Sequence, residues 1–264
     1  MSVVTAPLAA PSLSLNGVGK RFLGRNGTVE AIGEVSFSVA SGEFVAVVGP
    51  SGCGKSTLLR MLAGLDVPTQ GSVSVDGTPA VSVASPPGVA FQRPVLLPWR
   101  TALENVALPS QVGPGARGSR SVLRDRARQL LEEVGLDGFE NAYPHELSGG
   151  MQQRVALCRS LLSNSGLSLL DEPFAALDAL TREDLMFVLH DLWREHRTTT
   201  VFVTHGIAEA VFLASRVVVL SGRPSSVATV VEVDLPEHRE PALLHDPAFV
   251  ALTTSVRDAL HRPG

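Results

Sequence analysis

What this chain has little of narrows it first. Only two cysteines, Cys53 and Cys158, occur in 264 residues, and they form neither a CxxC pair nor a zinc-ligand spacing. That excludes a disulfide framework and points to a reducing cytosol. No apolar run reaches the roughly 18 residues that a membrane-spanning helix needs. Any membrane role must therefore run through a partner. Met1–Pro11 is mildly apolar but lacks the basic start and sustained apolar core of a secretory leader. Positive charge is not in excess: 22 Lys and Arg stand against 26 Asp and Glu, a net charge of −4. Without a basic footprint, nucleic acid is not expected as a partner. No internal repeat is visible. What remains is ample core material, 44% hydrophobic residues against 18% charged, in a length that suits one large domain or a domain with an insertion.

The order of patterns along the chain is that of an α/β protein. Residues 1–12 are rich in Ala, Pro and Ser and are expected to be disordered. Short β-rich stretches follow at Leu13–Leu15 and Val35–Val39. Glu43–Gly49 (EFVAVVG) reads as a buried parallel strand, then a Gly/Ser loop, then a helix over Ser56–Leu65. Residues 110–119 have the composition of a flexible loop. Helices are expected over Ser121–Val134, stopping at Gly135, and from Gln152 to Leu162. Leu167–Leu170 is a strand, Arg182–Arg194 a helix, Thr200–Val203 a strand, Ile207–Leu213 a helix and Arg216–Leu220 a strand. Asp246–His261 alternates at helical spacing and is expected as a terminal helix packed on the core. A helical segment, roughly residues 93–163, thus interrupts a parallel α/β core.

The first chemical motif sits at the end of the Glu43–Gly49 strand. Gly49-Pro50-Ser51-Gly52-Cys53-Gly54-Lys55-Ser56-Thr57 matches GxxxxGK[ST]. Glycines let backbone N–H groups curl around phosphate oxygens, and the following helix aims its positive end at them. In such a loop Lys55 reaches the β- and γ-phosphates and Ser56 ligands Mg²⁺. ATP with Mg²⁺ is therefore the expected ligand.

Two further elements end at the same kind of place. Asp171 and Glu172 follow a buried strand, and ligands of open α/β sheets bind outside that edge. Asp171 suits Mg²⁺ binding, and Glu172 suits polarisation of an attacking water, a role worth about 10²–10⁴-fold. His205 follows the next strand, VFVT. His190 and His196, six residues apart, do not form a helical metal pair and are expected to be solvated.

The segment Leu147-Ser148-Gly149-Gly150-Met151-Gln152-Gln153-Arg154 resembles the signature sequence of the ABC ATPases. A serine and two glycines opening a helix make a second anion site. One chain already holds a full cradle at Gly49–Thr57, so the second is best used on the nucleotide of another copy. The resemblance runs from about Leu13 to the C-terminus. It implies a P-loop NTPase, RecA-like core (13–92 and 164–225) with an inserted α-helical subdomain (93–163) and a small N-terminal antiparallel β subdomain. It also implies a C-terminal extension over 226–264. By the same resemblance Phe22 stacks on adenine, and Gln92 senses Mg²⁺ and the attacking water. Ser148, Gly149 and Gly150 contact nucleotide across a dimer, Asp178 in Ala176-Leu177-Asp178 communicates across it, and His205 is the switch histidine.

A finer resemblance is to import ATPases for nitrate, taurine, aliphatic sulfonates and similar solutes. It rests on Leu96–Thr101 (LLPWRT), Glu104-Asn105-Val106, Tyr143–Glu146 (YPHE), Asp171–Phe174 (DEPF), Glu209–Ala214 (EAVFLA) and Arg216–Pro224. This implies a peripheral position on the cytoplasmic membrane face, a second ATPase subunit, an integral permease near Gln92–Trp99 and, indirectly, a solute-binding protein. Leu96, Leu97 and Trp99 could equally pack within the subdomain. The chain departs from that group at Gly206, where Asp is usual, at Ser215, and at Asn164-Ser165-Gly166. None of these changes removes a catalytic group. Rival readings are a lipid or drug exporter ATPase, a soluble ABC ATPase and a non-hydrolysing regulatory module. The chain has neither a second cassette nor a long coiled-coil insertion, and both Glu172 and His205 are present.

Overall fold

The computed structural model describes residues 10–24, 27–111, 120–163 and 165–261. Most of the expected disordered start (1–9), most of the expected flexible loop (112–119) and Asn164 lie outside them. Two long antiparallel strands, β1 (Leu13–Gly24) and β2 (Gly27–Val39), open the chain. Both are much longer than the patterns Leu13–Leu15 and Val35–Val39 predict. Their middles carry glycine and polar residues, and the ladder absorbs these through register shifts between Leu15 and Lys20.

The buried strand β3 (Phe44–Val48) comes next, all five residues inside, then α1 (Lys55–Leu62). Strands β4 (Gln70–Val75) and β5 (Thr78–Pro79) extend the antiparallel half, and β6 (Gly88–Ala90) is a short parallel strand. Helices α2 (Ala102–Val106), α3 (Arg120–Glu133) and α4 (Gly149–Leu161) form the insertion. The chain returns through β7 (Leu167–Asp171), α5 (Ala179–His196), β8 (Thr199–Val203), α6 (Ile207–Leu213) and β9 (Arg216–Leu220). It closes with β10 (Ser225–Glu232) and α7 (Pro247–His261).

These strands form one sheet in the order β5-β4-β1-β2-β10-β9-β3-β8-β7-β6. From β9 to β6 every neighbouring pair is parallel. Their carboxyl ends therefore all emerge at one edge. β10 runs antiparallel to β9 and meets β2 in parallel at Ser225↔Ile32, joining the two halves. The sheet thus continues past residue 225, where the extension was expected to begin. Apolar residues of α1, β3 and the N-terminal strands bury one face, and residues of α5, α6 and α7 bury the other.

The insertion has its own core, built on Leu103, Val106, Leu130, Leu131, Val134, Val155 and Cys158. A capping box of Thr101 and Glu104 starts α2. Fully buried Asn105 donates to the carbonyls of Leu97, Arg100 and Thr101 and accepts from the Leu97 N–H at 2.8 Å. The side chain thus replaces secondary-structure partners for that irregular stretch. Leu96 packs against this core while Trp99 is 69% exposed, so the segment divides between packing and an open surface.

Two histidines differ from expectation. His196 joins α5 to α3: its ring lies 3.3 Å from a Glu133 oxygen and 2.8 Å from the Arg126 guanidinium. His190 is buried, 1% exposed, between Phe212 and Trp193. It occupies the inward stripe of α5 with Met186 and Leu189, a helical spacing that outweighs its polarity. Neither ring nitrogen has a hydrogen-bond partner among the described residues.

Burial first, then the positive charges of Arg239 and Arg194, pushes the His190 pKa down to about 4. The unfolded chain binds this proton at about pH 6.5, so the folded state binds fewer protons between those values. Stability contributed by neutral His190 is therefore full above pH 6.5 and falls as pH drops toward 4. At pH 5 the loss amounts to about 2 kcal/mol. Denaturant melts at pH 7.5 and pH 5 should show this slope in the wild type and a much flatter one in His190→Phe. Equal slopes would contradict the assignment.

Candidate functional site

The parallel strand order decides which loops meet. Gly49 follows β3, and the loop to α1 passes close to the end of β9: a Cβ on Gly49 would stand 2.9 Å from Cys53 Sγ and 3.1 Å from Leu220 Cβ. Gly52 (φ +73°) and Gly54 (φ +109°) adopt left-handed backbone, and a Cβ on Gly54 would meet Ile32 at 3.1 Å. Only glycine serves such a position without strain. Gly54 stands at the cap of α1 with no side chain capping it, and no acidic residue lies in the first turn. The first N–H groups of α1 are thus left for a ligand. Lys55 is buried, and its Nζ donates to the carbonyls of Gly49 (2.8 Å) and Pro50 (3.1 Å). Cys53 is a buried packing residue, 1% exposed.

This loop walls a cleft of about 280 Å³ lined by Ser51, Gly52, Gly54, Lys55, Ser56, Thr57, Glu172 and Arg223. Asp171, at the end of β7, accepts a hydrogen bond from Ser56 Oγ at 3.2 Å. Burial pushes its carboxyl pKa up, the Ser56 bond opposes this, the Glu172 charge adds to it and Lys55 counters. A half-buried carboxylate beside a hydroxyl has the donor chemistry of a divalent-cation site.

Glu172 takes left-handed backbone (φ +46°), and its N–H donates to the Val203 carbonyl at 2.8 Å. That conformation costs a non-glycine residue about 1–2 kcal/mol. Its Oε2 lies 3.2 Å from Nδ1 of His205, which follows β8. A carboxylate at the cleft, with an imidazole upon it, can orient a water and take its proton.

The loop after His205 explains one departure. Thr204 Oγ1 donates to Glu209 and accepts from the Gly206 N–H at 2.9 Å. A Cβ on Gly206 would fall 2.4–2.7 Å from the Glu209 carboxylate group. Glycine lets that carboxylate pack against the turn, with Arg182 3.8 Å away.

Other expected residues lie outside the cleft lining. Gln92 is exposed, two residues beyond β6 at the same sheet edge, where Gln153 Nε2 donates to the neighbouring Phe91 carbonyl at 3.3 Å. Phe22, 43% exposed on β1, carries the Lys20 ammonium 5.3 Å from its ring centre. Ser148 caps α4, accepting from the Met151 N–H at 3.2 Å, and Gly149 and Gly150 form the first turn. A Cβ on Gly150 would meet Thr181 Cγ2 at 2.7 Å, so the starts of α4 and α5 touch. Asp178 caps α5, accepting from the Thr181 N–H (3.1 Å) and hydroxyl (2.7 Å), bonds that lower its carboxyl pKa.

Sequence reasoning missed Arg223, Thr181 and Gln153. Arg223 had one signal available, an arginine immediately before proline three residues after a parallel strand.

A sheet of this topology with a phosphate cradle, a hydroxyl–carboxylate pair and a carboxylate–imidazole pair at its carboxyl edge defines a P-loop nucleotide-binding protein. Residues 32–175 match the family described as ABC transporter. An aliphatic sulfonates import ATP-binding protein of Bacillus cereus is 43% identical over 228 residues, covering 86% of this chain and 88% of that one. A nitrate import ATP-binding protein of Synechocystis is 42% identical over 228 residues, 86% and 85% of the two chains. A second aliphatic sulfonates import ATP-binding protein, from Burkholderia cenocepacia, is 42% identical over 258 residues, 98% and 90%. The dimeric post-hydrolysis structure of the ATP-binding cassette MJ0796, bound to ADP and Pi, superposes with TM-score 0.74 at 34% identity, over 85% of this chain and all of that one. The chain belongs to the ABC transporter family.

The cradle's backbone requirement can be tested directly. Gly54→Ala should lower stability by about 1–3 kcal/mol, from left-handed strain and the Ile32 contact, as read by thermal or denaturant melts. Wild-type stability in this variant would mean that the loop tolerates another path.

Proposed function

We propose that this chain is the ATP-hydrolysing subunit of an import system for a small solute of the sulfonate or nitrate kind. The observation that carries hydrolysis is Glu172, which lines the phosphate cleft with His205 on its carboxylate. The solute class is supported by the names of relatives about 42–43% identical over most of their length. No helix among the described residues is long and apolar enough to cross a membrane. Transport therefore needs an integral permease, and the exposed Trp99 and Val95 beside Gln92 offer it an apolar surface on the cytoplasmic face.

The nucleotide's phosphates lie in the Gly49–Thr57 loop, held by backbone N–H groups, the start of α1 and Lys55. Ser56 and Asp171 would hold Mg²⁺, with Gln92 assigned to the same ion and to the attacking water. Their fit rests on the 3.2 Å hydroxyl–carboxylate pair, whose half-buried acid, its pKa raised by burial, gains from a cation. When bound, the metal would supply charge neutralisation to the phosphates. Glu172 orients the water and accepts its proton, and His205 steadies the carboxylate. Phe22 is assigned to adenine.

Ser148, Gly149 and Gly150 open a helix that does not line its own chain's cleft. They are assigned to the nucleotide of a second copy, with Asp178 and Thr181 beside them at the interface. Catalysis is then positioning and charge stabilisation in a cleft closed by two chains.

Glu172→Gln should bind ATP as the wild type does, lose steady-state hydrolysis by about 10²-fold or more, and accumulate a dimer with ATP. Phosphate release and size-exclusion chromatography with light scattering measure both. Turnover near the wild-type rate would remove Glu172 from the reaction, and a strictly monomeric ATP-bound variant would remove the two-chain cleft.

A further inference from the structure

Arg223 has no part in the site as read so far, yet it lines the cleft. It stands in the link between β9 and β10. β9 pairs in parallel with β3, with Val219 opposite Val48, so this link leaves the sheet beside the phosphate loop. The link is firmly held. Ser221 N–H donates to the Ser226 carbonyl and Ser226 N–H to Ser221 Oγ, each at 2.9 Å. Pro224 lies against Gly33, and Ser225 is fully buried.

From this base the Arg223 guanidinium donates from Nη2 to the Gly52 carbonyl at 2.7 Å. Gly52 is the exposed tip of the loop, at φ +73°, with nothing within 4 Å of where a Cβ would stand. No side chain packs where a Gly52 Cβ would stand, and the tip carries the Arg223 bond and a 3.3 Å turn bond from the Cys53 N–H to the Pro50 carbonyl.

A loop that turns successive N–H groups toward an anion leaves carbonyls pointing elsewhere. Each such carbonyl shares a resonance-stiffened plane with the next residue's N–H. A cation that binds the Gly52 carbonyl fixes the Gly52–Cys53 peptide plane. It also draws electrons toward the oxygen, strengthening the Cys53 N–H that closes the turn onto the Pro50 carbonyl and so fixing the shape of the tip. Charge points the same way: the ionisable side chains lining the cleft are Lys55, Arg223 and Glu172, and a polyphosphate needs cations.

We propose that Arg223 is a positioning residue for nucleotide binding: its guanidinium holds the tip of the phosphate loop, through the Gly52 carbonyl, in the orientation that receives phosphate oxygens. This inference rests on the cleft being a nucleotide site. It assigns a part of that site to the β9–β10 link, well away from the phosphate loop in sequence.

The test is calorimetric titration of Mg·ADP into the full chain, with thermal melts of the nucleotide-free protein. Arg223→Ala should raise Kd about five- to tenfold, the loss of one charge-assisted hydrogen bond at a partly solvated site. Its nucleotide-free midpoint should stay within about 2 °C of wild type, as for a surface side chain. Arg223→Lys, which keeps the charge, should recover most of the affinity. An unchanged Kd in Arg223→Ala overturns the proposal, as does a loss matched by a large fall in midpoint or a lysine variant no better than alanine. A wild type that does not bind Mg·ADP would instead overturn the nucleotide reading itself.

Discussion

Parallel pairing of β9, β3, β8, β7 and β6 is the constraint from which the site follows. Strands laid in one direction must all release their chains at the same edge, whatever their order in sequence. The loop Gly49–Thr57, the acidic pair Asp171–Glu172, His205, Gln92 and Arg223 come from five strands. Each would be an ordinary loop residue if its strand were reversed. The hydrogen-bond ladder thus performs most of the assembly, and side chains only finish it.

What the side chains finish is held at some cost. Glu172 sits in left-handed backbone, Asp171 is a carboxylate partly withdrawn from water, and Lys55 is buried with its ammonium on two carbonyls. Such features persist where the surroundings over-determine them. Here the surroundings include the adjacent, fully buried strands β3 and β8. The rest of the molecule is built to keep that slab rigid. β10 welds the antiparallel half to it, and Arg239 from the C-terminal segment donates to the terminal carbonyls of α6 at Val211, Phe212 and Ala214. Burial pulls the Arg239 pKa down to about 10, yet its bonds to otherwise orphaned helix carbonyls justify its place there.

The two helix starts assigned to phosphate are placed differently. That of α1 faces its own cleft. That of α4 abuts α5, where the missing side chain of Gly150 allows contact with Thr181, and Thr181 in turn holds Asp178. The two segments assigned to the dimer interface are therefore in contact. A shift of the helical insertion must carry Asp178 with it or break that contact.

Some of this was legible from residues alone. The apolar strands β3, β7, β8 and β9, helix α6 and the phosphate loop announce themselves because periodicity and glycine spacing are local properties. So do Asp171, Glu172 and His205, each written directly after such a strand. Strands β4, β6 and β10 and the true length of β1 and β2 were not legible, because short or polar strands are defined by their neighbours' hydrogen bonds. His190 looked polar and solvated, but its helix turned it inward. Arg223 could be read in sequence only as part of a fingerprint beside a proline, since its meaning comes from a carbonyl about 170 residues away. By itself the chain's sequence determined which chemistry it carries; only the tertiary structure decided which of those groups share a cleft. Local preference can bend a backbone into a cradle, but distance between remote residues is created only when strands choose their partners.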